Sequence, residues 1–405
     1  MEICTKSLCS ACWACRDICP KNCINISYDS LDVPYPVIDE SECINCGLCQ
    51  RVCPNNTPVV LNASKKAYAA WSNDLNVRRT SASGGVATEL YRLFLQQGGI
   101  ATGVILDENY DTKYVILDSK SDLTPVKNSK YTFSDTNDIY RKVKIYLDNE
   151  VKVLFIGLPC HVAALQNYLR RPYDNLTTVD IICHGVAPVE YLKQHIKNIE
   201  LKKGKKAAEC TFRDPHYKTH NFIFSLYDKD SKCFYHKRVE SNDLYQIGYH
   251  RALIYRENCY HCKYAAPARC SDLTIGDFSG LGRLEKCDFN NINVSCILVN
   301  TVNGAEVIDS LSSFVTMVER PLAEALDFER QLKAPSAKHP NREVFETRYN
   351  ETQDFTVAAS ESLKSEIRNN DLPPHFISTI VKSSLRAILP GKEIKLIKRI
   401  TRNGQ

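Results

Sequence analysis

Eight cysteines near the start of the chain fall into two runs of C-x-x-C-x-x-C-x-x-x-C-P: Cys9, Cys12, Cys15 and Cys19 before Pro20, then Cys43, Cys46, Cys49 and Cys53 before Pro54. The runs are copies offset by 34 positions, each followed by an apolar pair, Ile24/Ile26 and Val59/Val60. Three cysteines at this spacing wrap one iron-sulfur cube, and the fourth crosses to the neighbouring cube. Cys9, Cys12, Cys15 and Cys53 are therefore expected to hold one 4Fe-4S cluster, and Cys43, Cys46, Cys49 and Cys19 a second. Zinc knuckles are the competing reading, but they lack both the triple spacing and the proline-marked crossing cysteine. The first 62 residues read as a bacterial-ferredoxin-like module, closed by a polar stretch at 55–66 that contains Pro58. Trp13 stands where the second run has Gly47, either to keep water from a cluster or simply to pack. Cys4 and Cys23 lie outside the spacing and read as bystanders.

Ten of the 19 cysteines precede residue 54 in ligand spacing, which favours thiolates over disulfides. No run is long and apolar enough to span a membrane, and the first six residues lack the apolar stretch of a secretory signal, so a cytoplasmic protein is expected. The formal charge of +5 counts every cysteine as neutral. Each cube with its four thiolates carries about −2, so three would bring the total to about −1, and no nucleic-acid partner is inferred.

Beyond the module, apolar strands alternate with amphipathic helices, the pattern of an α/β body with a mixed sheet and, with the module, of an α+β chain. Val86, Leu90, Leu93 and Phe94 share a helical face. Segments 100–106 and 114–117 read as strands, 151–156 and 178–182 as buried parallel strands, and 162–169 as the crossover helix between them. The divisions expected are 1–62, 63–148, 149–330, and an irregular extension over 331–405. At 392–402, five basic residues flank three apolar ones; contact with an anionic membrane surface is one reading, a solvated terminal helix the other.

Cys160 and Cys183 each follow a predicted buried strand at its carboxyl end, where open α/β sheets bind ligands. Cys259 and Cys262 form a C-x-x-C pair, with Cys270 eight residues on. Four such thiols would hold one more cube. Alternatively, Cys160 and Cys183 are ordinary buried cysteines and the pair binds zinc or nothing. Ser81, Ala82, Ser83, Gly84 and Gly85 open a helix, where free backbone N–H groups suit a phosphate; a plain cap by Ser81 or Ser83 is the alternative.

Residues 80–320 resemble the beta-subunit family of coenzyme F420 (deazaflavin) hydrogenases and dehydrogenases, whose members often carry a fused ferredoxin module. The resemblance rests on Ser81-Ala-Ser-Gly-Gly85, Asn128-Ser-Lys-Tyr131, Gly157-Leu-Pro-Cys160, Asp180-Ile-Ile-Cys-His-Gly185, Cys259-Tyr-His-Cys262, Asp272-Leu-Thr-Ile-Gly-Asp277 and Val294-Ser-Cys-Ile-Leu-Val-Asn-Thr301. It implies FAD with a third 4Fe-4S cluster beside it, on Cys160, Cys183, Cys259 and Cys262, with Cys270 as an alternate ligand. It also implies a flavin phosphate on Ser83, Gly84 and Gly85. His161 departs from the family's usual glutamine. Lys130 is a candidate partner for the flavin, or else a solvated charge. His184 is a candidate proton donor, or else a core histidine.

The expected function is an iron-sulfur flavoprotein oxidoreductase that passes electrons between clusters and FAD and exchanges hydride with a small organic substrate, a deazaflavin or a biosynthetic intermediate. The rival is an electron-transfer subunit with no substrate of its own. Either implies a soluble low-potential donor or a partner redox subunit. The substrate and the oligomeric state are left open.

Overall fold

The computed structural model describes residues 2–239 and 242–371. Each cysteine run passes through a left-handed residue into a short helix, Trp13 (φ 59°) into Ala14–Ile18 and Gly47 (φ 69°) into Leu48–Val52. Glycine takes this conformation freely, whereas a side chain with a Cβ is strained in it. Trp13 offsets the strain by burial: it is 1% exposed and meets Phe133 edge-on, ring centroids 6.2 Å apart. The residue that distinguishes the two runs thus packs the module onto the body. Between the runs, Ile24–Tyr28 and Pro34–Ile38 pair as an antiparallel hairpin.

The body is built on a mixed sheet, nine-stranded among the described residues. Its order is Val315–Arg320, Lys66–Ser72, Ser295–Val299, Leu273–Asp277, Leu176–Ile181, Val153–Gly157, Ile100–Leu106, Thr112–Leu117 and Ser134–Asp135. Leu273–Asp277, Leu176–Ile181, Val153–Gly157 and Ile100–Leu106 run parallel to one another. Val153–Gly157 is buried at every position, as its unbroken apolar run requires. The helix Pro159–Leu169, with proline in its first turn, makes the expected crossover to Leu176–Ile181. Val86–Gln96 buries the face formed by Val86, Leu90, Leu93 and Phe94.

A second core lies around a three-stranded antiparallel sheet, Glu209–Thr211, Phe224–Tyr227 and Cys233–Lys237, with the helices Val189–Lys203 and Leu244–His250. The segment expected to be irregular after residue 330 supplies two helices to it, Arg342–Thr352 and Phe355–Ser362. Phe345, Tyr349 and Phe355 are wholly buried there against Tyr191. Three aromatic anchors separated by charged residues leave too sparse a periodicity to read as a helix, yet supply enough apolar area to dock one.

Module and body pack closely. The helices Ala14–Ile18 and Leu48–Val52 rest on Pro159–Leu169, and Ala14–Ile18 also touches Ile139–Asp148. Arg141 donates to the carbonyls of Arg16 and Cys19 at 3.2 and 3.3 Å, and Tyr191 Oη to the carbonyl of Leu31 at 2.8 Å. No described helix is long and apolar enough to cross a membrane. The basic segment 392–402 lies outside the described residues.

Candidate functional site

The fold brings the N-terminal cysteines together in two crossed groups. Cys12 and Cys15 have Cys9 and Cys53 as neighbours, so the last cysteine of the second run joins the first three of the first. Cys19, Cys43, Cys46 and Cys49 surround a hollow on the other side. The first group is the deeper one: Cys12, Cys15 and Cys53 are buried, whereas Cys46 is exposed. Burial pushes the Cys12 thiol up to about 12, with Cys53 and Cys9 adding to the rise. Bound iron reverses that preference, because its positive charge favours the thiolates.

Two further cysteines stand beside these groups, neither marked by the spacing. Cys23 Sγ lies 3.4 Å from Cys19 Sγ and borders the same hollow. Cys4 is in side-chain contact with Cys53 and Cys9.

In the body, Cys160 follows strand Val153–Gly157 and Cys183 follows Leu176–Ile181, on the carboxyl edge of the parallel strands. The segment Glu257–His261 brings Cys259 and then Cys262 to the same place. All four thiols line one cavity of about 230 Å³, together with Phe133, His161, His184, Lys263 and Arg269. Pro54 and Ser10 of the module complete its wall. Burial pushes the Cys160 thiol well up, and Cys262, Cys183 and Cys12 push it further. The body group therefore adjoins the first N-terminal group, through Cys12. Tyr140 and Tyr264 are flanked by both Cys12 and Cys160, and their buried hydroxyls have no hydrogen-bond partner.

Two buried guanidinium groups flank the body thiols, and sequence reading singled out neither. Arg269 donates to Asp180 Oδ1 at 2.9 Å and to the carbonyl of Tyr264 at 2.7 Å. Arg256 donates to the carbonyls of Ser10 and Cys9. Burial raises the Cys259 thiol to about 11, and the Arg256 charge opposes the rise. Cys270 is turned away from the cavity, its Sγ donating to the carbonyl of Pro159 at 3.3 Å. His161 Nδ1 pairs with Tyr114 Oη at 2.9 Å. His184 opens into the cavity; its enclosure lowers the pKa, while the carboxylates of Glu329 and Asp277 pull it up.

The glycine pair sits on the same edge of the sheet. Gly84 donates its N–H to Ser295 Oγ at 2.9 Å, and Ser83 Oγ meets that oxygen at 2.7 Å. A Cβ on Gly84 would stand 2.2 Å from the carbonyl oxygen of Ala70, so close packing alone requires glycine there. Gly85 (φ 88°) caps Val86–Gln96 without any side-chain hydrogen bond to the helix. Ser81 Oγ is buried nearby and has no partner. Lys130 Nζ donates to the carbonyls of Lys127, Pro125 and Asn128, at 2.7, 2.9 and 3.4 Å. Lys127 is the lysine that reaches the glycine loop, through Thr80 Oγ1 at 2.6 Å.

The chemistry of these donors fits the groups that the sequence implies. Three sets of four thiols match three four-iron cubes. Among the described residues no three Cys, His, Asp or Glu side chains close on a single ion, as is expected where thiols are spread over the corners of a cube. At the glycine loop, an uncapped helix N-terminus beside an unpartnered serine hydroxyl fits a phosphate.

Family models match three parts of the chain. A model described as "4Fe-4S dicluster domain" covers residues 8–57. Two models described as "Coenzyme F420 hydrogenase/dehydrogenase", one for the N-terminal and one for the C-terminal part of its beta chain, cover residues 67–140 and 151–323. The F-type subunit of the F(420)H(2) dehydrogenase from Methanosarcina mazei is 22% identical over 232 residues, which are 50% of this chain and 64% of that relative. The chain thus spans less than two thirds of that relative's length. A chain of the xenon-derivatized F420-reducing NiFe hydrogenase complex from Methanosarcina barkeri matches with a TM-score of 0.42 at 14% identity, over 76% of this chain and 92% of that one. With the two beta-subunit models lying in order over more than half of its length, behind a dicluster domain, the chain belongs to the coenzyme F420 hydrogenase/dehydrogenase beta-subunit family.

Proposed function

We propose that this chain is an iron-sulfur flavoprotein oxidoreductase, holding FAD at the carboxyl edge of its sheet beside three 4Fe-4S clusters and serving hydride exchange with a small organic substrate. FAD supplies the conversion between a hydride's electron pair and single electrons, which the cubes carry one at a time. Cys9, Cys12, Cys15 and Cys53 hold one cube, Cys19, Cys43, Cys46 and Cys49 a second, and Cys160, Cys183, Cys259 and Cys262 the third. Ser81, Ser83, Gly84 and Gly85 seat the flavin phosphates, and Lys127 adds positive charge to that loop. Lys130 braces the adjoining turn.

One observation carries the reading. Ser295, whose hydroxyl holds Gly84, pairs with Asp277 at the end of Leu273–Asp277, and that strand is the direct neighbour of Leu176–Ile181, which leads to Cys183. Two strand spacings, about 10 Å, separate the glycine loop from the body thiols along one sheet edge. A dinucleotide seated on that loop reaches the thiols without leaving the edge. His184 opens into the intervening space, and Arg213 Nη1 holds Asp277 there at 2.6 Å. Enclosure favours the neutral imidazole of His184, a form that accepts a proton from a bound substrate and returns it.

The test is spectroscopic. The anaerobically reconstituted chain is expected to carry FAD, and a reduced deazaflavin, the coenzyme of the family's name, should bleach its absorption. A deazaflavin without effect would direct the search to other hydride donors. A chain that holds iron but no flavin would instead be a wire between partner subunits, a role supported by the naming of the Methanosarcina mazei relative as a subunit.

A further inference from the structure

The crossing cysteines of the two N-terminal groups, Cys53 and Cys19, each have a spare thiol against them. Cys23 Sγ stands 3.4 Å from Cys19 Sγ, is 6% exposed, and borders the hollow shared with Cys43, Cys46 and Cys49. Cys4 touches Cys53 and Cys9.

These two seats are equivalent under the repeat. The turn after Cys19 is closed by Asn22 N donating to the carbonyl of Cys19 at 3.3 Å, and the turn after Cys53 by Asn56 N donating to the carbonyl of Cys53 at 3.0 Å. Cys23 follows the first turn directly. At its repeat-equivalent position the second turn has Thr57, which supplies no thiol. The N-terminal segment supplies one instead: Asn56 Nδ2 donates to the carbonyl of Ile3 at 2.8 Å, and Gln50 Nε2 to that of Glu2 at 2.8 Å, which lays Cys4 against Cys53. Two unrelated stretches of chain thus deliver a thiol to the same seat, once per cluster. Inheritance from the duplication accounts for neither, because Cys4 and Cys23 are not copies of one another.

We infer that Cys23 and Cys4 are reserve ligands, each placed to take the cluster corner of the crossing cysteine it touches. The inference rests on the crossed ligation proposed above. At rest the spare S–H donates to the crossing thiolate, a contact that favours added negative charge on the cluster. In the exchange, the Fe–S bond to Cys19 breaks as one to Cys23 forms. Cys23 gives up its proton and Cys19 takes one, with no change of oxidation state. Cys46 is the contrasting corner: it is exposed and has no spare thiol against it among the described residues.

The test is iron content of the full chain after anaerobic reconstitution. Cys46→Ser is expected to lose about four iron atoms, whereas Cys19→Ser stays within about one atom of the parent and the pair Cys19→Ser/Cys23→Ser loses about four. Cys53→Ser and Cys53→Ser/Cys4→Ser should behave alike. If Cys46→Ser keeps its iron, the ligation reading fails. If Cys46→Ser and Cys19→Ser both lose it, the reserve ligand fails alone. Should Cys19→Ser not fold, Cys23→Ala in the otherwise intact chain decides: the potential of the cluster held by Cys43, Cys46 and Cys49 must fall while that of the first cluster stays, and an unchanged potential overturns the inference.

Discussion

Arg256 Nη2 donates to the carbonyl oxygen of Cys9 at 3.0 Å, joining the body to the first cysteine of the N-terminal module. Its Nη1 holds the carbonyl of Ser10 at 2.9 Å, and the side chain is 1% exposed. The same guanidinium acts on the thiols of both Cys9 and Cys259, so one buried cation lies between the first N-terminal group and the body group. A positive charge there favours an added electron on either.

Replacing Arg256 with Gln should therefore lower the reduction potentials of both adjoining clusters and leave the outer one unmoved. It should also cost about 2–4 kcal/mol of stability, since buried carbonyls lose a charged donor. Arg256→Lys should restore part of the potential. Redox titration followed by EPR, with thermal melts alongside, separates the two effects; unchanged potentials in a destabilised Gln variant would leave the arginine a structural tie only.

Iron content checks the body group. Twelve ligand thiols imply about 12 iron atoms per chain, and Cys183→Ser or Cys262→Ser should each remove about four. Cys270→Ser should keep the full complement, because that thiol points at the carbonyl of Pro159 rather than into the cavity. A parent chain with about eight would dispense with the third cluster altogether.

At the glycine loop, packing and phosphate binding call for different substitutions. Gly84→Ala drives a Cβ to 2.2 Å from the carbonyl oxygen of Ala70 and 2.8 Å from Ser295 N, so it should destabilise the chain whatever binds there. Gly85→Val is strained in the same way by its φ of 88°. Ser81→Ala is the informative change, since it deletes a buried hydroxyl that no protein group satisfies. Its melting temperature should hold while the bound FAD falls severalfold. Full flavin in that variant would move the phosphate seat elsewhere.

His250 supplies a pH signature. Burial, with help from His184 and Arg213, lowers its pKa to about 4. An unfolded imidazole titrates near 6.5. As pH falls from about 6.5 towards 4 the unfolded chain takes up a proton that the native one refuses, so stability drops across that window, by roughly 1–3 kcal/mol, and is flat above it. Denaturant melts of His250→Phe should show a shallower loss than the parent between those limits.

How much of this was legible in the sequence differs by element. The crossed cysteine groups and the strand–helix–strand around Cys160 follow from spacing and apolar runs, because both are local patterns. Cys4 and Cys23 carry no local pattern; only the closing of the chain brings them to Cys53 and Cys19. Arg256 and Arg269 look like ordinary charges until their carbonyl and carboxylate partners, distant in sequence, fold around them. Lys130 drew attention through its motif, yet its three hydrogen bonds go to its own loop, and Lys127 reaches Thr80 instead. The helices after residue 341 were hidden by their charged faces.

The last prediction concerns where electrons enter, which we propose is the outer cysteine group. Cys46 is exposed and Ile44 beside it is 57% exposed, whereas the first group is buried and adjoins the body through Cys12 and Cys160. A soluble low-potential donor can approach the outer group without displacing the fold, and the inner groups lie in line behind it. Two clusters in the module also store two electrons, as many as one hydride carries. Deleting residues 1–62 is a poor test, because it strips Arg141, Arg256 and Tyr191 of buried partners and uncovers the helix Pro159–Leu169. Cys46→Ser removes one cluster and leaves that interface in place. With reduced ferredoxin as donor, this variant should reduce its bound flavin no faster than a control without donor, while photochemical reduction of the same flavin proceeds as in the parent. Equal rates with ferredoxin in the two proteins would show that electrons enter at the inner clusters or at the body, and the outer group would then serve another purpose.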